Sequence, residues 1–313
     1  MLGKTAGGLF WMFRYLERSE NTARLIDAGF RMALTRDGDS ADEWASVIDT
    51  AGARTAYQAK HEDFDGPSVI DFLLRDRDNS SSVLTSIEAA RSNARLVRTA
   101  LTREVWEATN ESYMAVRGVL ERPVRDRDLT HVLDMIRQQS ALVRGALHGS
   151  MLRNDGYDFA RLGTFLERAD NTARILDVKY YVLLPSISKI GSSLDNKQWE
   201  TVLRAVAGQR AWRWMSGGEV APPGIAEFLI LDKRMPRSLA FSVSKLADNM
   251  SYLEKEYGQR HPCHDMVDAL GANLRDNTIE MIFERGLHDF LIDFLANIAA
   301  LAAQIEADYR FYG

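Results

Sequence analysis

The chain has 313 residues, of which 46% are hydrophobic and 27% charged, and its net charge of −5 excludes a global basic field for nucleic acid. The lone cysteine, Cys263, excludes an internal disulfide, and charged residues follow directly on the apolar stretch 9–13. We therefore expect a cytoplasmic protein without a signal peptide or a membrane span.

Apolar residues recur at three- and four-residue intervals along most of the chain, which predicts an all-α fold. In chain order, the predicted helices are 5–36, 40–58, 67–75, 81–102, 104–120, 127–152, 156–184, 195–215, 222–231, 237–257, 262–275 or beyond, and 286–311. The turn residues 76–80 predict an N-cap before Val83, and Pro236 predicts a helix start.

The first and seventh predicted helices carry the same sequence. Residues 15–27 read YLERSENTARLID and residues 165–177 read FLERADNTARILD, which are identical at eight of thirteen positions. Downstream, WASVIDTAGARTAY from Trp44 corresponds to WETVLRAVAGQRAW from Trp199, and DFLLRDRDNSSSV (71–83) corresponds to EFLILDKRMPRSL (227–239). This long-period similarity predicts two helical repeats of about 150 residues.

The predicted repeats are 1–153 and 154–313, and no Ser/Gly/Pro-rich linker separates them. One unit alone buries little of its apolar face, whereas two units packed about a pseudo-twofold axis bury both. We therefore predict one helical bundle rather than two separate domains.

On a helical wheel of residues 12–30, Glu17, Asn21 and Arg24 fall together, opposite a broad apolar arc. Three interpretations of this polar face stay open. It is a solvated face with i,i+4 ion pairs, a buried network at the pseudo-dyad, or a ligand or catalytic site. Identity of these polar residues between two otherwise divergent copies favours the buried network over the solvated face.

Metal and cofactor motifs are weak in this sequence. Glu17 and Glu167 lack the histidine three residues later that helical di-iron sites use. The segment 261–265 (HPCHD) lacks a second ligand pair for zinc and is predicted as a helix start. With no phosphate-binding loop or serine-hydrolase motif in the sequence, we expect neither a metal nor a cofactor.

Three separated segments, 9–32, 71–95 and 227–246, resemble the bacterial alpha-E domain family, an all-helical domain named for a Glu-Arg motif. Glu17-Arg18 matches that motif and Glu167-Arg168 repeats it. The resemblance extends over essentially the whole chain, but it supplies no established catalytic residues.

The resemblance implies which proteins occur beside this one rather than an activity. Members of this family occur beside, or fused to, a circularly permuted ATP-grasp ligase, often with a transglutaminase-like protease nearby. That setting implies amide-bond formation on peptides or amino acids. This sequence carries no ATP-grasp domain, so we expect it to be the stand-alone form.

We therefore expect a non-catalytic scaffold, carrier or regulator of an ATP-grasp-type ligase. The alternative is a catalytic or ligand-binding component, with Glu17 or Glu167 as general acid or base. A further alternative is an oligomeric structural protein, so a homo-oligomer stays open. The remaining candidate binding residues are Arg18, Asn21, Arg24, Arg168, Asn171 and Arg174. We expect no nucleic-acid or membrane partner.

Overall fold

The computed structural model describes residues 1–34, 40–181, 193–217 and 221–312, and all regular secondary structure in these ranges is helical. The helices of the first half are α1 (Gly3–Leu34), α2 (Ala41–Thr50), α3 (Arg54–Gln58), α4 (Gly66–Arg75), α5 (Val83–Leu96), α6 (Arg103–Val119) and α7 (Asp126–Ser150). Those of the second half are α8 (Asp155–Tyr181), α9 (Ser193–Ala205), α10 (Gln209–Ser216), α11 (Pro222–Ile230), α12 (Leu239–Tyr257), α13 (Pro262–Asp276), α14 (Ile279–Arg285) and α15 (Leu287–Asp308).

Two of the predicted helices, 40–58 and 195–215, are wrong as single helices, because a sharp turn, here called a corner, divides each of them into two. Gly52 and Ala207 have φ values of +66° and +55° and end α2 and α9. Both occupy the ninth position of the aligned segments that begin at Trp44 and Trp199. Their N–H groups donate to the carbonyl oxygen three residues back, at 2.8 Å for Gly52 and 2.9 Å for Ala207. The corners are therefore built alike.

Other boundaries follow from capping. Ser82 and Ser238 cap α5 and α12, and their hydroxyls accept from the backbone N–H of Thr85 at 3.2 Å and Phe241 at 2.9 Å. Pro236 precedes the N-cap, so its predicted place at the helix start is wrong. The short helix α14 was not predicted as a separate element, because the preceding helix was given an open end. The predicted ends at residues 36 and 184 lie outside the described residues.

The long helices α1 and α8 run through the interior and pack against each other. Helix α1 supplies Leu9 and Phe10 to one apolar core and Met12 and Phe13 to another. The first of these cores is built mainly by α8 to α15, and the second mainly by α2 to α7. Because α1 belongs to both cores, the polar residues on its buried faces must be satisfied inside the protein rather than by water.

Helix α15 is the one described helix long and apolar enough, by length and composition, to cross a membrane. It packs against α8 and α13, and its buried face contributes Phe290, Phe294, Ile298 and Leu301 to the core. One face of α15 is therefore packed in the core, and the fold is compatible with a soluble protein.

Candidate functional site

The two Glu-Arg dipeptides predicted from the repeat lie opposite each other, where α1 packs on α8. Glu17 accepts from Arg168, with Nε to Oε1 and a terminal nitrogen to Oε2 both at 2.9 Å. Glu167 accepts in the same bidentate manner from Arg18, at 2.5 and 2.9 Å. The glutamate of each helix is therefore clamped by the arginine of the other.

Further arginines surround each glutamate. Arg14 donates to Oε2 of Glu167 at 2.9 Å. Arg144, from α7, approaches Oε2 of Glu17 at 3.5 Å. Arg237, from the segment before α12, lies 3.0 Å from Oε1 of Glu17. Glu17 is thus neutralised by guanidinium groups from three separate elements, and Glu167 by two guanidinium groups from α1.

The network is buried. Glu17 and Glu167 expose only 1% and 7% of their surfaces. Burial alone would raise the pKa of Glu17, but the Arg168 and Arg237 guanidiniums outweigh it and hold that pKa well below its ordinary value. The same balance with Arg18 lowers the pKa of Glu167. Both carboxylates stay ionised near neutral pH, and their geometry is that of the buried-network interpretation.

The remaining predicted residues join this network or flank it. Arg24 donates to Glu20 on its own helix at 2.9 and 2.8 Å, and Arg174 donates to Asp170 at 2.7 and 3.3 Å. These are the i,i+4 pairs of the solvated-face interpretation, although Glu20 itself is fully buried.

The two asparagines differ in their partners. Asn21 accepts at Oδ1 from Arg237 at 2.8 Å, and its Nδ2 is buried without a hydrogen-bond partner. Asn171 has no side-chain partner among the residues that the structure describes. A cavity of about 240 Å³ lies beside the network, and both asparagines line it.

Sequence reasoning missed the partners that come from other helices. Arg237 is 6% exposed and donates to Oε1 of Glu20 at 2.7 Å as well as to Asn21. Burial, together with neighbouring Arg168, lowers the pKa of Arg237 to about 10. The aligned segments gave no signal for Arg237, since the equivalent position in the first segment is Ser81.

The sequence contains four Glu-Arg dipeptides, and only those on α1 and α8 are buried at the glutamate. The other two, Glu121-Arg122 and Glu284-Arg285, are exposed. A family model called Alpha-E, described as a predicted alpha-helical domain with a conserved ER motif, matches residues 1–309. The chain belongs to the alpha-E family.

Relatives of this alpha-E domain include three uncharacterised proteins, one from Mycobacterium bovis and two from strains of Mycobacterium tuberculosis. Each is 26% identical over 314 residues, a match that covers 93% of this chain and 35% of the relative. The chain therefore spans about a third of the length of these relatives. No solved structure matches it.

Among the described residues, neither a cluster of metal ligands nor a thiol lies at this network. No group of three or more His, Cys, Asp or Glu side chains suited to a metal ion occurs among the described residues. Cys263 is fully buried at the start of α13, and burial raises the pKa of its thiol. His261 is the N-cap of that helix, which places the segment 261–265 at a helix start, as predicted.

Asp158 is a perturbed acid that the sequence did not reveal. It lies in the first turn of α8, is 6% exposed, and borders a surface cleft that Lys245 and Tyr252 also line. Burial raises the pKa of Asp158 to about 7, with smaller contributions from Asp155 and Glu256. A carboxyl whose pKa is higher in the folded state than in the unfolded state lowers the free energy of unfolding at the pH values where it ionises.

We expect Asp158→Asn to stabilise the alpha-E domain, and the gain to depend on pH. The folded pKa lies above the ordinary 3.8, so the wild type loses stability as the pH rises from about 4 to about 7. The variant has no such loss. Melting temperatures measured from pH 4 to pH 8 should coincide at the acid end and separate until about pH 7. A constant difference across that range would contradict the assignment.

Proposed function

We propose that this alpha-E domain is a non-catalytic scaffold that works with an ATP-grasp-type ligase in forming amide bonds on peptides or amino acids. The observation that carries the proposal is the reciprocal pairing of Glu17 with Arg168 and of Glu167 with Arg18. A general acid or base exchanges a proton near the working pH. Buried glutamates held by partly buried guanidiniums, with lowered pKa values, suit a fixed structural role instead.

The scaffold would consist of two helical repeats, 1–153 and 154–313, packed about a pseudo-twofold axis, with Glu17-Arg18 as the family's Glu-Arg motif. The reciprocal ion pairs support this arrangement, and so do the matching corners and serine caps. A further parallel supports it. Asp27 pairs with Arg137 of α7 at 3.3 Å, and the equivalent Asp177 pairs with His288 of α15 at 2.5 Å.

Two observations support a partner, which is either fused to the domain in one polypeptide or is a separate protein. The resemblance of the sequence implies an ATP-grasp neighbour and, less directly, a transglutaminase-like protease. The mycobacterial relatives carry about two thirds of their length beyond the region that this chain matches. A cytoplasmic location fits such a partnership, since ATP is the ligase's co-substrate.

The network residues do not suit a test of partner binding, because their substitution disturbs the fold. Trp214 suits it better. Its side chain is 84% exposed near the end of α10, and the next residue, Met215, lines a surface groove together with Leu231. Tryptophan is enriched among residues that dominate the binding energy of protein interfaces. We place the ligase contact on the C-terminal end of α10.

The experiment is affinity purification of the tagged protein from the bacterium that encodes it, with mass spectrometry of the co-purifying proteins. We expect an ATP-grasp ligase in near-equal amount, and a loss of at least about tenfold in its recovery from Trp214→Ala. Leu152→Ala is the matched control, since Leu152 is also strongly exposed, at 77%, but follows α7 in the first half of the chain. Recovery of the tagged protein alone would contradict the partnership.

A further inference from the structure

Arg237 occupies a guanidinium site whose counterpart in the other half of the protein is empty of protein atoms. Three acceptors hold the Arg237 guanidinium, namely Glu17, Glu20 and Asn21. In the aligned helix α8, the same positions are Glu167, Asp170 and Asn171. All three of these residues line the cavity of about 240 Å³.

The residue that would fill this cavity is missing. The aligned segments 71–83 and 227–239 put Ser81 at the position of Arg237, and Ser81 also lines the cavity. A volume of about 240 Å³ is many times the roughly 10–15 Å³ that one water molecule needs on the same measure, so the cavity has room for a group much larger than water. The cavity therefore corresponds in position to the side chain that serine lacks.

The hydrogen bonds of the two motif glutamates differ in the same way. Oε1 of Glu17 accepts from Arg168 at 2.9 Å and lies 3.0 Å from Arg237. Oε1 of Glu167 accepts from Arg18 alone among the residues that the structure describes. A carboxylate offers about four lone-pair sites, so Glu167 retains the capacity that Glu17 uses for Arg237.

Flanking positive charge does not exclude a cation here. Arg168 and Arg24 both lie close enough to Arg237 to lower its pKa, yet Arg237 remains bound between them. Their aligned counterparts Arg18 and Arg174 flank the cavity in the same way. The cavity thus repeats both the acceptors and the charge setting of an occupied guanidinium site.

A second observation points independently to a ligand. Asn21 is 3% exposed and lies between the two sites, with Oδ1 accepting from Arg237. Because arginine only donates, this bond fixes the amide orientation and leaves Nδ2 as the free group. A buried donor without a partner is costly, and an acceptor atom on a ligand would satisfy it.

We propose that this cavity binds a guanidinium ligand of the arginine type, with Glu167, Asp170 and Asn171 as acceptors and Asn21 as a donor to the ligand's own carbonyl or carboxylate. The inference goes beyond the scaffold role and does not depend on the ligase. Its chemistry fits free arginine and an arginine side chain within a peptide equally, and the probes distinguish these sources.

The test is isothermal titration calorimetry of the full chain with L-arginine and with Nα-acetyl-L-arginine N-methylamide. We expect saturable binding of at least one probe, and binding of the blocked probe identifies a peptide side chain as the source. The matching citrulline compounds keep the shape but lose the charge, so they should bind at least about tenfold more weakly. Equal binding of citrulline, or no binding of either arginine probe at millimolar concentration, would overturn the proposal.

The substitution Ser81→Arg would place a guanidinium group of the protein itself in the cavity. We expect this variant to melt at a higher temperature and to lose at least about tenfold in affinity for the probe. Ser80→Arg adds the same charge at an exposed neighbour outside the cavity and should bind normally. Unchanged affinity in folded Ser81→Arg would overturn the assignment. Should that variant not fold, Asn171→Ala should still weaken binding about threefold to tenfold.

Discussion

Glu17→Gln should lower the free energy of unfolding by about 3–5 kcal/mol, because removal of one partner of a buried ion pair leaves the other charge uncompensated. The glutamine keeps the shape of the side chain but no longer neutralises Arg168, Arg237 and Arg144. Urea unfolding, followed by circular dichroism, measures the change.

The matched control is Glu121→Gln, which alters another Glu-Arg dipeptide. Glu121 is exposed, so we expect a change within about 0.5 kcal/mol. Equal stability of the two variants would remove the structural role of Glu17 and favour the catalytic alternative, in which activity falls while the fold is unchanged.

Gly163→Ala should be the second most damaging of these substitutions, although alanine favours a helix by about 1 kcal/mol over glycine. A Cβ on Gly163 would lie 2.1 Å from the carbonyl oxygen of Phe10 and 3.2 Å from the backbone nitrogen of Arg14. Backbone atoms yield little, so α1 and α8 would have to separate. We expect a net loss of about 1–3 kcal/mol.

The separation would also stretch the reciprocal ion pairs, which lie a few residues further along the same two helices. The control is Gly145→Ala in α7, where nothing lies within 4 Å of the added carbon. That variant should be neutral or more stable by up to about 1 kcal/mol. Equal and stabilising effects from both substitutions, measured by thermal unfolding, would show that the α1–α8 contact tolerates a wider spacing.

The helical class, the family and the two matching helices were predictable because they depend on local periodicity and on a repeated string of residues. The identity of Glu17, Arg18 and Asn21 with their counterparts indicated a constraint shared by both helices. It did not show that each glutamate is paired with the arginine of the other copy, since that depends on how the two helices cross.

The residues that sequence reasoning missed come from distant parts of the chain. Arg144 and Arg237 contact α1 from positions more than a hundred residues away, and no local pattern distinguishes them from surface arginines. The corners at Gly52 and Ala207 were missed because apolar periodicity continues across them. The raised pKa of Asp158 follows from burial, which only the packing of α8 determines.

The exposed Glu-Arg dipeptides clarify why the sequence motif alone carries little information. Glu284-Arg285 has the same two side chains as Glu17-Arg18, but Arg285 pairs with Asp293 at the surface. Exposed pairs of this kind contribute about 0–1 kcal/mol. The difference between the dipeptides lies in burial and in the partner helix rather than in composition.

The central claim is that each Glu-Arg dipeptide acts across the two helices rather than within its own. A double-mutant cycle on the free energy of unfolding tests it, with Glu17→Gln combined first with Arg168→Met and then with Arg18→Met. We expect a coupling energy above about 1.5 kcal/mol for Glu17 with Arg168, and a clearly smaller one for Glu17 with its sequence neighbour Arg18. A coupling to Arg18 that equals or exceeds the coupling to Arg168 would contradict the reciprocal arrangement.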